Sequence, residues 1–217
     1  MIVSQFGVES WMDQYEEGAK YNITDTCAKP LSLAELFSLA GEDRTDFMDR
    51  FFEREQTYGT IFGSEKVKKE ISRLYESISP EEILTEHGAT GGNQHIFFSL
   101  IRPGDRVIAF SPSYQQFYSA PEALGAEVTV LRLRRENGYL PDLDELSQAA
   151  ARGVRMICLN NPNNPTGTLI PSDMLKDIVT IARQSGAYLF CDEVYSGASI
   201  DGARSLSVCD LYEKGIA

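Results

Sequence analysis

Apolar and polar positions alternate with two different periods along this chain. Residues 8–19 (VESWMDQYEEGA) and 31–39 (LSLAELFSL) show helical spacing. Ser32 stands before the second stretch as an N-cap with Glu35 completing a capping box. The remainder of the first 50 residues is mixed and acidic. From Tyr58 onward the texture changes. Residues 64–77 (SEKVKKEISRLYES) place Val67, Ile71, Leu74 and Tyr75 on one helical face. Strand-like and helix-like segments then alternate. The pattern predicts strands at 82–86, 106–110, 127–133, 155–160 and 188–191. It predicts helices at 91–101, 114–124 (broken at Pro121), 142–152 and 171–185, the last with Pro171 at its first position.

Strands alternating with helices of about 10–15 residues require crossover connections. The predicted fold class is therefore α/β, with a mostly parallel sheet sandwiched by helices. Ligands of such sheets gather at the carboxyl ends of the strands, so the residues that follow each apolar run are the ones to read for chemistry.

Composition narrows the partners. The chain has 217 residues, with 20 basic against 32 acidic side chains and a net charge of −12. An acidic surface argues against nucleic acid or an anionic membrane as the partner. No uncharged apolar run reaches the about 18 residues a spanning helix needs, and Met1–Phe6 lacks a basic leader, so a cytoplasmic protein is expected. The four cysteines form no CxxC pair, and Cys158 and Cys191 lie in apolar runs as buried thiols, which fits a reducing compartment. No metal site is expected, and His87 and His95 have no catalytic or metal-binding assignment.

Four clusters sit at the strand ends. His87-Gly-Ala-Thr-Gly-Gly-Asn93 runs into a helix, where free amides and the dipole favour a phosphate; it also reads as a plain glycine-rich turn. Asn160-Asn-Pro-Asn-Asn-Pro-Thr-Gly167 is a rigid turn, or a device that fixes an Asn amide over the sheet edge. Asp192 follows the apolar run Tyr188–Cys191, so it either caps a turn or meets a cation such as a protonated ring nitrogen. Tyr114, in Ser111-Pro-Ser-Tyr114, is a core aromatic or one that lies on a flat ligand.

In this order the clusters resemble the aspartate aminotransferase superfamily, the class I/II aminotransferases of pyridoxal-phosphate fold type I. Asn-Pro-Thr-Gly at 164–167 followed by Asp-Glu-Val-Tyr at 192–195 is the specific part, and the resemblance spans roughly residues 58–217. It implies a cofactor, pyridoxal 5′-phosphate, and a reaction that moves an amino group between an amino acid and a 2-oxo acid. It implies that Asp192 pairs with the pyridine nitrogen and that Asn164 and Tyr195 donate to the ring's phenolic oxygen. Ala89 (backbone) and Thr90 (side chain) would form the phosphate cup, and Tyr114 would stack on the ring. Tyr58 would reach the phosphate of a neighbouring subunit, making the working unit a homodimer with shared sites. Residues 1–50 would be an N-terminal arm and part of a small domain, and 51–217 the cofactor-binding large domain.

The resemblance also has gaps. Counting onward from Asp192, the family's Schiff-base lysine falls beyond Ala217, so no catalytic residue is expected within the chain. Lys214 lacks the small-residue context of that lysine and reads as a solvated lysine at a helix end. The chain is therefore expected to be the first part of such an enzyme, a non-catalytic relic, or one half of a split enzyme. The stretch 8–39 departs from the usual opening of aspartate or aromatic aminotransferases and is faintly similar to relatives of capreomycidine synthase. A carbon–sulfur β-lyase or a cyclase of the same fold is accordingly the alternative reaction.

Overall fold

The computed structural model describes residues 3–23 and 27–217; Met1 and Ile2 of the leader reading lie outside them. Helices α1 (Gly7–Tyr15), α2 (Leu33–Ala40), α3 (Arg44–Phe52) and α4 (Glu65–Ser72) come first. An α/β unit follows: α5 (Gly88–Leu100), β1 (Arg106–Ser111), α6 (Gln116–Ala123), β2 (Glu127–Arg132), α7 (Leu143–Ala150), β3 (Met156–Asn160), α8 (Ser172–Ser185), β4 (Tyr188–Asp192), α9 (Val208–Leu211) and β5 (Gly215–Ile216).

The sheet has five strands in the order β2-β1-β3-β4-β5, all parallel. The α/β expectation holds. Alternation within each strand sends side chains to two separate cores. Val107, Ala109, Met156, Cys158 and Phe190 face α5 and α6, where Phe97 and Phe117 fill the space. Ile108, Phe110, Ile157, Leu159, Leu189 and Cys191 face α7 and α8, against Leu146, Leu175, Ile178 and Ala182. Burial on both faces is why the inner strands read as unbroken apolar runs. Cys158 and Cys191 are the buried thiols expected, and burial pushes both well above the ordinary thiol range.

Several boundaries move for identifiable reasons. No strand forms at 82–86: Pro80–Glu82 makes a 3₁₀ turn instead, because the Glu82 carboxylate folds back 3.0 Å to the Ser79 amide. The next helix starts at Gly88, not Gly91, so the glycine-rich segment is its first turn; Gly88, at φ +75°, makes the entry that a side chain would resist. The Ser32–Glu35 capping box forms as expected. The helix from Ser64 stops at Ser72, because Asp210 takes the backbone amides of Glu76 and Ser77 at 2.9 and 2.8 Å.

The helix at α1 ends at Tyr15, before two glutamates that oppose the dipole at its carboxyl end. Pro121 does not break α6; it lies near the end of a short helix, which continues to Ala123. Pro171 is the N-cap of α8, not its first residue. Helix α3, capped by Asp43, forms in the stretch that reads only as mixed and acidic.

Candidate active site

The chain leaves β1 toward β2 on one side and returns to β3 on the other. The connections therefore diverge at the carboxyl ends of β1 and β3, which is where a doubly wound sheet opens a crevice. Asn163 spans that gap, donating from Nδ2 to the Pro112 carbonyl at 3.1 Å and to Thr166 Oγ1 at 2.8 Å.

Asp192 is the last residue of β4 and is buried, with 8% of its surface exposed. Its Oδ1 accepts from the Val194 amide at 3.0 Å and its Oδ2 from Asn93 Nδ2 at 2.9 Å. None of the ion pairs among the described residues involves it. A buried carboxylate held only by neutral N–H donors still lacks a cation, which is the arrangement a cationic ligand would complete.

Asn160, the last residue of β3, holds the following loop. Its Nδ2 donates to the Asp192 carbonyl at 2.9 Å, and its Oδ1 accepts from the Asn164 amide at 2.6 Å. Asn164 is thereby aimed at Tyr195: Nδ2 lies 3.4 Å from the phenol oxygen. The two side chains line one cleft with Pro165, Ala198 and Ser199.

Thr90 stands in the first turn of α5, where the early N–H groups have no intrahelical partner and His87 supplies no side-chain cap. Its hydroxyl lies 3.3 Å from Tyr114 Oη. Ala89 sits beside it, exposed. Tyr114 is partly buried against the core. Its ring packs edge-on against Phe117, 5.9 Å between centroids, while its hydroxyl reaches the helix terminus.

Four of the expected residues thus pair off, Asn164 with Tyr195 and Thr90 with Tyr114, while a fifth, Asp192, joins Asn164 through Asn160 and Thr90 through Asn93 and Gln116. Tyr58 does not join them, being 99% exposed. Lys214 is exposed as expected, but on the turn into β5 and not at a helix end. Its carbonyl pairs with the Leu189 amide near the start of β4, so it lies at the opposite end of that strand from Asp192. His95 bonds Glu86 at 2.8 Å, and among the described residues no cluster could hold a metal.

The residues that escaped the sequence reading are Asn93, Gln116 and Asn160. Asn93 and Asn160 stand inside the strand-end clusters and Gln116 just beyond one, but nothing in the sequence marks their amides as buried.

Comparison with known proteins places this geometry. The family model described as aminotransferase class I and II matches residues 48–216. An LL-diaminopimelate aminotransferase of Syntrophobacter fumaroxidans is 34% identical over 130 residues, covering 60% of this chain and 34% of that protein. An aspartate aminotransferase of Pyrococcus horikoshii is 35% identical over 127 residues, covering 58% and 32%. The crystal structure of a PLP-dependent aminotransferase from Streptococcus suis superimposes with a TM-score of 0.94 at 43% identity, covering 99% of this chain and 57% of that one. The matches thus span about a third of these curated relatives and somewhat more than half of the streptococcal chain. With a family model matched from residue 48 to 216 and strand-end motifs that converge in space, the chain belongs to the class I and II aminotransferases.

Proposed function

We propose that this chain supplies the cofactor cradle of an enzyme that moves an amino group between an amino acid and a 2-oxo acid. The cofactor is pyridoxal 5′-phosphate, and the residues present fit it. When bound, the group supplies an electron sink for the substrate's α-carbon.

Asp192 would hold the ring nitrogen as a cation, satisfying the buried carboxylate. Asn164 and Tyr195 would donate to the ring's phenolic oxygen from one side. Ala89 and Thr90 would meet the phosphate at the amino terminus of α5, where the dipole favours an anion. Tyr114 would bound the ring face. Tyr58, which finds no place in its own site, would reach the phosphate of a second copy in a homodimer. The reading places the protein in the cytoplasm, in keeping with the buried thiols Cys158 and Cys191; no helix among the described residues is long and apolar enough to cross a membrane.

The observation that carries the proposal is Asp192: buried, terminal on its strand, bonded among the described residues only by neutral donors, and flanked by the Asn164–Tyr195 pair. The test takes the full-length enzyme that carries this cradle together with its Schiff-base lysine, loads it with pyridoxal phosphate, presents amino acids one at a time and detects released 2-oxo acid. Transfer of the amino group to the cofactor is expected for at least one of them. Failure with every amino acid overturns the reading, and release of pyruvate together with ammonia and thiol from cystathionine replaces it with β-lyase chemistry.

A further inference from the structure

Two buried amides connect the first turn of α5 to Asp192. Gln116, 2% exposed, donates from Nε2 to the Thr90 carbonyl at 2.9 Å. Its Oε1 accepts from Asn93 Nδ2 at 3.1 Å, and the same Asn93 nitrogen donates to Asp192 Oδ2 at 2.9 Å. Asn93 is 6% exposed. It stands three residues after Thr90, so both lie on one face of α5.

The direction of this chain is forced. A backbone carbonyl only accepts, so the nitrogen of Gln116 must face Thr90. Its oxygen then faces Asn93, and Asn93 is left presenting N–H to Asp192. Flipping either amide would set two acceptors or two donors against each other in a buried space. The carboxylate therefore meets only donors at this edge, and its charge stays free to face a cation in the cleft.

We propose that Asn93 and Gln116 are positioning residues that act through Asp192. They fix its carboxylate toward the ring nitrogen, and they tie it to the same helix turn that meets the phosphate. The two ends of the cofactor are thus held in register by one chain of hydrogen bonds. This rests on the cofactor placement argued above.

The test compares binding of pyridoxal phosphate with that of its deaza analogue, in which carbon replaces the ring nitrogen. The ratio of the two dissociation constants reports the Asp192 contact alone; a variant that only loosens the fold weakens both ligands equally. The protein should prefer pyridoxal phosphate, and Asp192→Ala should abolish that preference. Asn93→Leu should narrow it by about tenfold, the worth of one hydrogen bond to a charged group. Gln116→Leu should narrow it less, by freeing the Asn93 amide to turn. Asn93→Ala only removes atoms and serves in place of Asn93→Leu if the larger side chain prevents folding. If Asp192→Ala abolishes the preference while the Asn93 and Gln116 variants keep it, the positioning role is overturned and the cofactor placement stands. If Asp192→Ala leaves the preference intact, the cofactor placement falls and the positioning role with it.

Discussion

The side-chain amide of Asn164 lies 3.4 Å from the phenol oxygen of Tyr195, across 31 residues of sequence. The pair exists because Asn160 grips the Asn164 backbone while bonding to the strand that leads to Tyr195. Two neutral donors converge there on one point. If that point is the phenolic oxygen of the cofactor, each donor stabilises its ionised form. Tyr195→Phe should then raise the pH midpoint of the bound cofactor's absorbance change by about 1–2 units, the worth of a hydrogen bond to a charged acceptor. Asn164→Ala should move it in the same direction. A spectrophotometric titration reads both, and an unmoved midpoint in both variants removes the assignment.

Thr90 makes a separable prediction. Its hydroxyl adds a donor to the helix terminus, whereas the backbone amides remain whatever the side chain. Thr90→Val keeps the shape and deletes the hydroxyl. It should weaken pyridoxal phosphate by roughly tenfold and leave pyridoxal, which lacks the phosphate, nearly unchanged. Equal losses for both ligands would mean that Thr90 shapes the helix start and does not meet a phosphate.

These residues were accessible from sequence for a physical reason. Asp192 ends an apolar strand, and Asn164 and Tyr195 lie in the loops that follow two such strands, positions that in a parallel sheet face one edge; Thr90 is marked instead by the small-residue turn at a helix start. Asn93, Gln116 and Asn160 were not accessible, because their role depends on what lies across the sheet. A buried amide is indistinguishable from a surface amide until its partner, 99 residues away for Asn93 and Asp192, is known. The same holds for the fold. Strands buried on both faces announce themselves, whereas β5, with two residues, and α9, with four, owe their existence to tertiary contacts. The strand expected at 82–86 failed because Ser79 and Glu82 close a local turn that competes with pairing.

Gly215 marks a close approach. A Cβ at this position would overlap the backbone carbonyl of Val208 in α9, and a carbonyl cannot swing aside as a side chain can. The Gly215 amide also bonds the Tyr212 carbonyl at 2.8 Å, which holds the turn against the helix. Gly215→Ala should destabilise the protein by about 1–3 kcal/mol, as overpacking does. The urea midpoint measures this directly. A midpoint equal to that of the parent would show that α9 and β5 separate freely.

Glu193 sits one residue beyond Asp192 and faces the other way. Its carboxylate accepts from Ser207 Oγ and the Val208 amide, both at 3.1 Å, and so pins the start of α9. Burial pushes its pKa up from the ordinary 4.5 to about 6, despite those two donors, and the nearby Asp210 and Asp192 push the same way. Below pH 4.5 the folded and unfolded forms both hold the proton and the group has no effect on stability. As pH rises toward 6 the unfolded chain releases its proton first, so the folded state loses ground. Above that window the loss amounts to about 2 kcal/mol. Glu193→Gln stays neutral throughout and its amide oxygen can still accept from Val208. The variant should therefore gain stability relative to the parent between pH 4.5 and 7, by about 2 kcal/mol across the range. Urea midpoints of the two proteins at a series of pH values test the slope. A difference that stays flat, or that shrinks as pH rises, would mean that the Glu193 carboxylate is solvated and that α9 is held by other contacts.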